Sequence, residues 1–294
     1  MIVHKHIVAV PSYDTLRYFH FEELQDAETP NVHLWLGSQG DCPVDPTQCN
    51  FFFDGEQPNM WFHDDSLKNA LLNETRYKHI LSICPYTSKW RNDILQRNQY
   101  IAIPYFLNTQ YIPQKAVNKD IDIIYIGHVN PLFSIISDTM APFNHYLVSG
   151  QESIGYQEKF NLVARSKISL VHNVIYVSPE TKTFVKAIDR YSENEIFNGI
   201  DTIDFIPQLK SREFEAAFCK SLILCFEDNY NIIENYFEPG EDFLYLNREN
   251  DTTEQIKFIL DNYANYIPMI NRAYEKAMNL YTTPNILKLI KNCL

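Results

Sequence analysis

The segment Lys210–Phe226 reads KSREFEAAFCKSLILCF, a short amphipathic helix that runs directly into a buried strand. Ser211 has the residue type of a helix N-cap for a helix starting at Arg212. Phe214, Ala217 and Phe218 fall on one face, the buried one, while Arg212 and Glu215 are three apart and share another. The uninterrupted run Leu222–Phe226 has the all-apolar character of a strand covered on both faces, as in a parallel sheet. Working outward, Tyr230–Phe237 is a helix, Phe243–Leu246 is a further strand after the turn at Pro239-Gly240, and helices follow over Thr252–Tyr263 and Tyr266–Leu280. Upstream, Lys167–Val174 is a strand, Tyr156–Ser166 a helix and Thr202–Leu209 an extended lead. Lys119-Asp120-Ile121-Asp122 leads into the strand Ile123–Ile126, which stops at Gly127-His128. Asp120 and Asp122 mimic a metal-binding Asp-x-Asp pair, but they precede a strand where such a pair would end one. They read as a solvated lead-in.

The amino-terminal part repeats the alternation. Strands are expected at His6–Val10, Val32–Leu36, Asn50–Phe53, His79–Ile83 and Tyr100–Ile103. Helices are expected over Tyr13–Leu24 and Thr87–Gln96. A linker containing Pro113 spans Gln110–Asn118. Strands alternating with helices in both parts imply an α/β chain with parallel sheets. The expected division is 1–115, 116–281 and a tail, 282–294, that returns to the first domain.

The 294-residue chain carries a net charge of −12. It has no basic stripe of the kind that binds nucleic acid; the longest candidate, Lys89-Trp90-Arg91, is too short. An anionic ligand therefore needs a local positive pocket inside an acidic protein. None of the six cysteines forms a Cys-x-x-Cys pair, so no zinc framework is present. Cys84, Cys219 and Cys225 sit in apolar contexts that suit buried thiols, and Cys42 and Cys49 flank a loop across which they could pair. His4, His6 and His33 fit strand positions, and His63-Asp64-Asp65 lacks a third ligand at fixed spacing, so no metal is expected. The start, MIVHKHIVAV, is too short and polar for a signal peptide, and no run approaches the ~18 apolar residues of a membrane span. The expected location is the cytoplasm.

Helix amides and the Arg212 guanidinium suit a diphosphate, and Glu215, one turn on, suits ribose hydroxyls. An intrahelical Arg212–Glu215 pair on a solvated face is the plainer alternative. The longer stretch KSREFEAAFCKSLILCFEDNYNIIENYFEPGEDFLYL resembles the donor-binding half of GT-B glycosyltransferases, most closely the CgeB/spore-protein type. KDIDIIYIGH and YQEKFNLVARSKISLVHN resemble the first strand and the middle helix and strand of that domain. The resemblance covers roughly 120–285. It implies two Rossmann-like domains with parallel sheets facing a central cleft, residues 116–281 binding a nucleotide sugar and 1–115 the acceptor. It places Arg212 on the diphosphate and Glu215 on the ribose. Gly127 and His128 would line the phosphate side, with Asn173 and Lys210 facing the same cleft. Two departures stand out. Lys220 occupies a position where relatives carry glycine for a positive φ. Pro207 replaces the second glutamate of retaining members, which favours inversion.

An inverting transfer needs a base. The run GEQPNM resembles a glutamate-bearing region of bacterial fucosyltransferases, which implies Glu56 as that base, with Asp54 as second candidate. The expectation is a metal-independent transfer of a sugar from a nucleotide diphosphate sugar, acting as co-substrate with no cofactor, to a hydroxyl of a glycan or glycoconjugate. A non-catalytic sugar-nucleotide or glycan-binding module on the same fold is the alternative, and an epimerase the second.

Overall fold

The computed structural model describes residues 3–7, 32–36, 47, 49–54, 58, 74–107, 109–113, 117–127, 131–149 and 154–293. Contacts group the chain into two compact units, each discontinuous in sequence. One comprises Met1–Tyr105, Val174–Leu209 and Thr283–Leu294; the other comprises Phe106–Asn173 and Lys210–Thr282. The sequence reading runs each domain continuously instead.

In the first unit, β1 (Val3–Ile7), β2 (Val32–Leu36), β3 (Cys49–Asp54), β4 (His79–Ser82) and β5 (Tyr100–Ala102) form a parallel sheet in chain order. Phe51, Phe52 and Phe53 are all buried, so both faces of β3 are covered, as its unbroken apolar run requires. The first strand lies three residues earlier than expected, and the helix expected over 13–24 lies outside the described residues. Helix α1 (Pro85–Leu95) has proline in its first turn and Cys84 as N-cap, its Sγ accepting the Thr87 N–H at 3.5 Å. Cys49 is a free thiol.

In the second unit, β6 (Ile121–Gly127) leads through α2 (Phe133–Met140) to β7 (His145–Ser149), and through α3 (Tyr156–Arg165) to β8 (Ser166–Val171). The sequence reading did not place α2 or β7. β7 is an edge strand that exposes His145 and Tyr146, so it lacks the apolar run of a central strand. The strand expected over 167–174 is broken at His172-Asn173. Beyond the break, β9 (Val174–Tyr176) pairs antiparallel with β10 (Phe205–Pro207), with α4 (Pro179–Lys186) between them. This insert packs within the first unit: the Trp90 ring meets Phe197 edge-on at 5.9 Å, and its indole N–H donates to the Arg190 carbonyl at 3.0 Å.

The chain returns to the second unit with α5 (Arg212–Phe218) and β11 (Leu222–Phe226). Phe214, Ala217 and Phe218 are buried as their spacing predicts. The helix ends in a Schellman motif: Ser221 N–H reaches Ala216 O at 2.9 Å and Lys220 N–H reaches Ala217 O at 3.1 Å. Lys220 takes the left-handed position, φ 52°, that a glycine would fill. The helix expected over Tyr230–Phe237 shrinks to one 3-10 turn, Ile232–Asn235. The Asp228 carboxylate binds the N–H groups of Tyr230 and Asn231, both at 2.8 Å, and offers the backbone an alternative to a helix. β12 (Leu244–Leu246), α6 (Thr252–Asp261) and α7 (Ile267–Leu280) complete the unit. The last helix, α8 (Thr283–Asn292), belongs to the first unit and buries Thr283, Ile286, Leu287 and Ile290, a helical stripe the sequence reading left as tail. Among the described residues no helix is long and apolar enough to cross a membrane.

The sheet of the second unit runs β12-β11-β8-β6-β7, all parallel. In local order this is 2-1-3-4-5, so the connections leaving β6 and β8 depart in opposite directions. Between the carboxyl ends of those two strands an open α/β sheet has its ligand crevice.

Candidate functional site

Gly127 ends β6, and His172-Asn173 follow β8, so all three stand at that reversal. Gly127 has φ +151°, a conformation that favours glycine. A Cβ there would lie 2.1 Å from Nη2 of Arg212 and 2.6 Å from its Cζ. The guanidinium therefore rests directly on the bare glycine backbone. Its Nη1 donates to the Tyr125 hydroxyl at 2.6 Å, and Cζ lies 4.7 Å from the Tyr125 ring centroid. The Tyr125 hydroxyl also lies 2.8 Å from Nε2 of His172, and the two rings stack at 5.8 Å with 14° between planes.

Donor and acceptor roles follow from chemistry. Arginine can only donate, so the Tyr125 oxygen accepts from it. Burial pushes the Tyr125 phenol up, against a smaller opposing effect of Arg212, so it keeps its proton at neutral pH. The hydroxyl and Nε2 of His172 also share a hydrogen bond, in which either group can be the donor. Arg212 uses one of its five N–H groups in this bond. The other four have no hydrogen-bond partner among the described residues, and Arg212 forms no salt bridge among them.

The neighbouring charges do not cancel it. Glu213, next in the chain, is completely buried, and desolvation pushes its carboxyl up to about 8, so it is neutral at pH 7. Its Oε1 accepts the Lys210 N–H at 3.4 Å, and its Oε2 has no hydrogen-bond partner among the described residues. Glu215 is also buried, at 1% exposure, but it is held by Nζ of Lys159 on α3 at 2.7 Å and by the Ser211 hydroxyl at 3.0 Å. Its charge is met there. Among the described residues no carboxylate pairs with Arg212, so its charge is not met there.

This corrects three details read from sequence. The Arg212 guanidinium and the Glu215 carboxylate, three residues apart, turn to Tyr125 and Lys159 in place of forming the solvated pair. Ser211 stands at the N-cap position but makes no capping bond; its hydroxyl goes to Glu215. With only seven residues, α5 is a short dipole. Asn173 and Lys210 are brought together, through the Lys210 amide, which donates to Asn173 Oδ1 at 3.1 Å. Asn173 is fully buried, with Nδ2 3.8 Å from Cys225 Sγ. His128 and Glu56 lie outside the described residues. Asp54 closes β3 opposite Ser82, in the first unit. Asp120 and Asp122 pair with Arg165 and Lys167, as a solvated lead-in would. Among the described residues no group of three or more His, Cys, Asp or Glu could hold a metal ion, and His63-Asp64-Asp65 fall outside them.

Tyr125, His172 and Lys159 escaped the sequence reading. Tyr125 is a lone phenol in the run IDIIYIG, and His172 precedes the Asn173 that was singled out. Both were visible as polar breaks in apolar strands. Lys159 had no signal, because its partner lies 56 residues away.

No family model and no curated protein matches the sequence. Solved structures do resemble the chain. A variant of S. aureus TarM in complex with fondaparinux, α-GlcNAc-glycerol and UDP matches at 11% identity and TM-score 0.54, over 90% of this chain and 55% of that one. Sucrose-phosphate synthase from Thermosynechococcus elongatus matches at 8% identity and TM-score 0.56, over 89% and 73%. Anabaena HepE in complex with UDP and glucose matches at 8% identity and TM-score 0.57, over 89% and 77%. The chain spans about half the length of TarM. Identities this low speak to architecture alone, and the architecture is the GT-B fold.

Proposed function

We propose that the chain is a glycosyltransferase that moves a sugar from a nucleoside diphosphate sugar to a hydroxyl of a glycan or glycoconjugate, in the cytoplasm. The observation that carries this is Arg212: a cation seated on Gly127 at the strand-order reversal, with four N–H groups unused by the described residues. A diphosphate supplies oxygen acceptors for such a fork. TarM and HepE, which share the fold, are described in complexes with UDP. The resemblance of 120–285 to CgeB-type transferases points the same way.

In this reading Arg212 and His128 contact the diphosphate. Glu215, its carboxylate already oriented by Lys159 and Ser211, receives the ribose hydroxyls, while Asn173 and Lys210 shape the adjoining backbone. A carboxylate of the first unit, Glu56 ahead of Asp54, takes the proton of the acceptor hydroxyl. The acceptor oxygen then bonds to the anomeric carbon from the face opposite the diphosphate. The bond from that carbon to the β-phosphate oxygen breaks, and its electron pair leaves with the nucleoside diphosphate. Arg212 stabilises the charge that collects on the leaving group, a role that needs no metal or cofactor. Pro207, standing where retaining members carry a glutamate, favours inversion.

Thermal-shift titration against UDP, GDP and ADP sugars tests the reading, since a bound donor stabilises by mass action. One series stabilises the wild type, and Arg212→Ala removes most of that shift. Stabilisation by no nucleotide sinks the proposal. Donor binding without release of nucleoside diphosphate in any acceptor mixture marks a binding module, and conversion of donor alone to an isomer marks an epimerase.

A further inference from the structure

We propose that Tyr125 and His172 are positioning residues for Arg212, a buried relay that fixes the direction in which Arg212 presents its unused N–H groups to a diphosphate. The inference rests on the transfer reading above.

Tyr125 lies in the middle of a sheet, on a strand whose neighbours Ile123 and Ile124 are aliphatic, and it is 1% exposed. A phenylalanine would fill that layer without bringing a polar group into it, so a tyrosine there is explained by its hydroxyl. The hydroxyl meets two side chains at once: it accepts from Arg212 at 2.6 Å and is hydrogen-bonded to Nε2 of His172 at 2.8 Å. His172 is 6% exposed and stacked on the same ring, so the phenol is held from a second side. With the hydroxyl held by His172, its oxygen keeps a lone pair on Arg212. On the other side the guanidinium rests against Gly127, where no side chain intervenes. A long flexible side chain is thereby confined between a hydroxyl and a glycine, with most of its donors unspent by the described residues. Ordering that side chain before the ligand arrives removes a cost from binding.

The experiment measures affinity for UDP, GDP and ADP by calorimetry, with uridine, guanosine and adenosine as phosphate-free controls. Tyr125→Phe keeps the ring and removes the acceptor. His172→Leu removes the group that orients the phenol, whereas His172→Gln keeps an acceptor near the Nε2 position. Tyr125→Phe and His172→Leu weaken binding of the preferred diphosphate by ~10-fold, the size expected for one charged hydrogen bond. They leave nucleoside binding unchanged, and His172→Gln restores most of the diphosphate affinity. Adding Tyr125→Phe to Arg212→Ala causes no further loss, since the two act through one contact. If Tyr125→Phe binds the diphosphate like the wild type, or loses nucleoside and diphosphate in equal measure, the relay is overturned while the transfer reading stands. If the wild type binds none of the three diphosphates, the transfer reading falls and takes the relay with it. Should His172→Leu fail to fold, the contrast of Tyr125→Phe with His172→Gln decides alone.

Discussion

Among the described residues the two larger sheets are each five strands wide and parallel, yet only one carries a legible site. In the first unit the described strands follow chain order, β1 to β5, so successive connections step in one direction. In the second, β7 and β8 lie on opposite sides of β6, and the connections part. That parting brings the end of β6 and the residues after β8 together with Arg212. Strand order makes the difference, because it decides where backbone ends diverge and leave room for a ligand. The candidate of the first unit, the stretch Asp54 to Glu56, rests on the turn expected from Asp54-Gly55 and a short likeness.

The sharpest way to break that contrast is Glu56→Gln. If the first unit supplies the base, transfer falls by about 10²–10⁴-fold while donor affinity stays unchanged. Initial rates at saturating donor, set beside calorimetric binding, separate the two; full activity removes the base from the first unit's turn. Next in size is Gly127→Ala. The new methyl must push the guanidinium away, so diphosphate affinity drops by roughly 10²-fold, the scale set by ångström misplacement. Because the clash is with the end of a flexible side chain, the fold loses only about 1 kcal/mol, for the strained φ. Equal damage to stability and binding in denaturation and titration curves would argue that Gly127 is structural only.

A third test concerns the pH dependence of the second sheet's surroundings. The Glu213 carboxyl moves from 4.5 to about 8 on burial. A raised pKa means that the folded state holds the proton more tightly. Its contribution is fully present below about 4.5 and is lost as pH rises through 8. Wild-type stability therefore declines between pH 5 and 8.5. Glu213→Gln, which is neutral throughout, flattens that decline and is the more stable protein at pH 8.5, by about 1–3 kcal/mol. Urea denaturation across pH measures it, and parallel profiles for the two proteins refute it. The smallest effect expected is at the helix end. Lys220→Gly relieves a left-handed lysine but gives up the ammonium's contact with the Tyr274 ring, 4.3 Å to the centroid. The net gain is below about 1 kcal/mol, read as a midpoint shift in denaturant.

Much of the second unit was readable because its signals are local. Leu222–Phe226 is a strand at the bounds its apolar run predicts, and the positive φ at Lys220 was visible as a departure from glycine. Elements went astray where one side chain competed with the backbone. Asp228 dissolved a helix that periodicity supports, and His172-Asn173 cut a continuous apolar run in two. α2 was missed because it has no side-chain cap: Leu132 stands at its N-cap and makes no capping bond.

By itself the sequence determined an α/β chain, the helix–strand pair at Arg212–Phe226, and the two residue types, Gly127 and Arg212, on which the candidate site turns. These follow from periodicity and backbone conformation, which act over a few residues. Only the tertiary structure decided that Arg212 meets Tyr125 across 87 residues, Tyr125 meets His172 across 47, and Glu215 meets Lys159 across 56. Those meetings depend on β8 packing beside β6 with β7 turned to the other side. That strand order is selected by the packing of the whole sheet, and no window of sequence contains it.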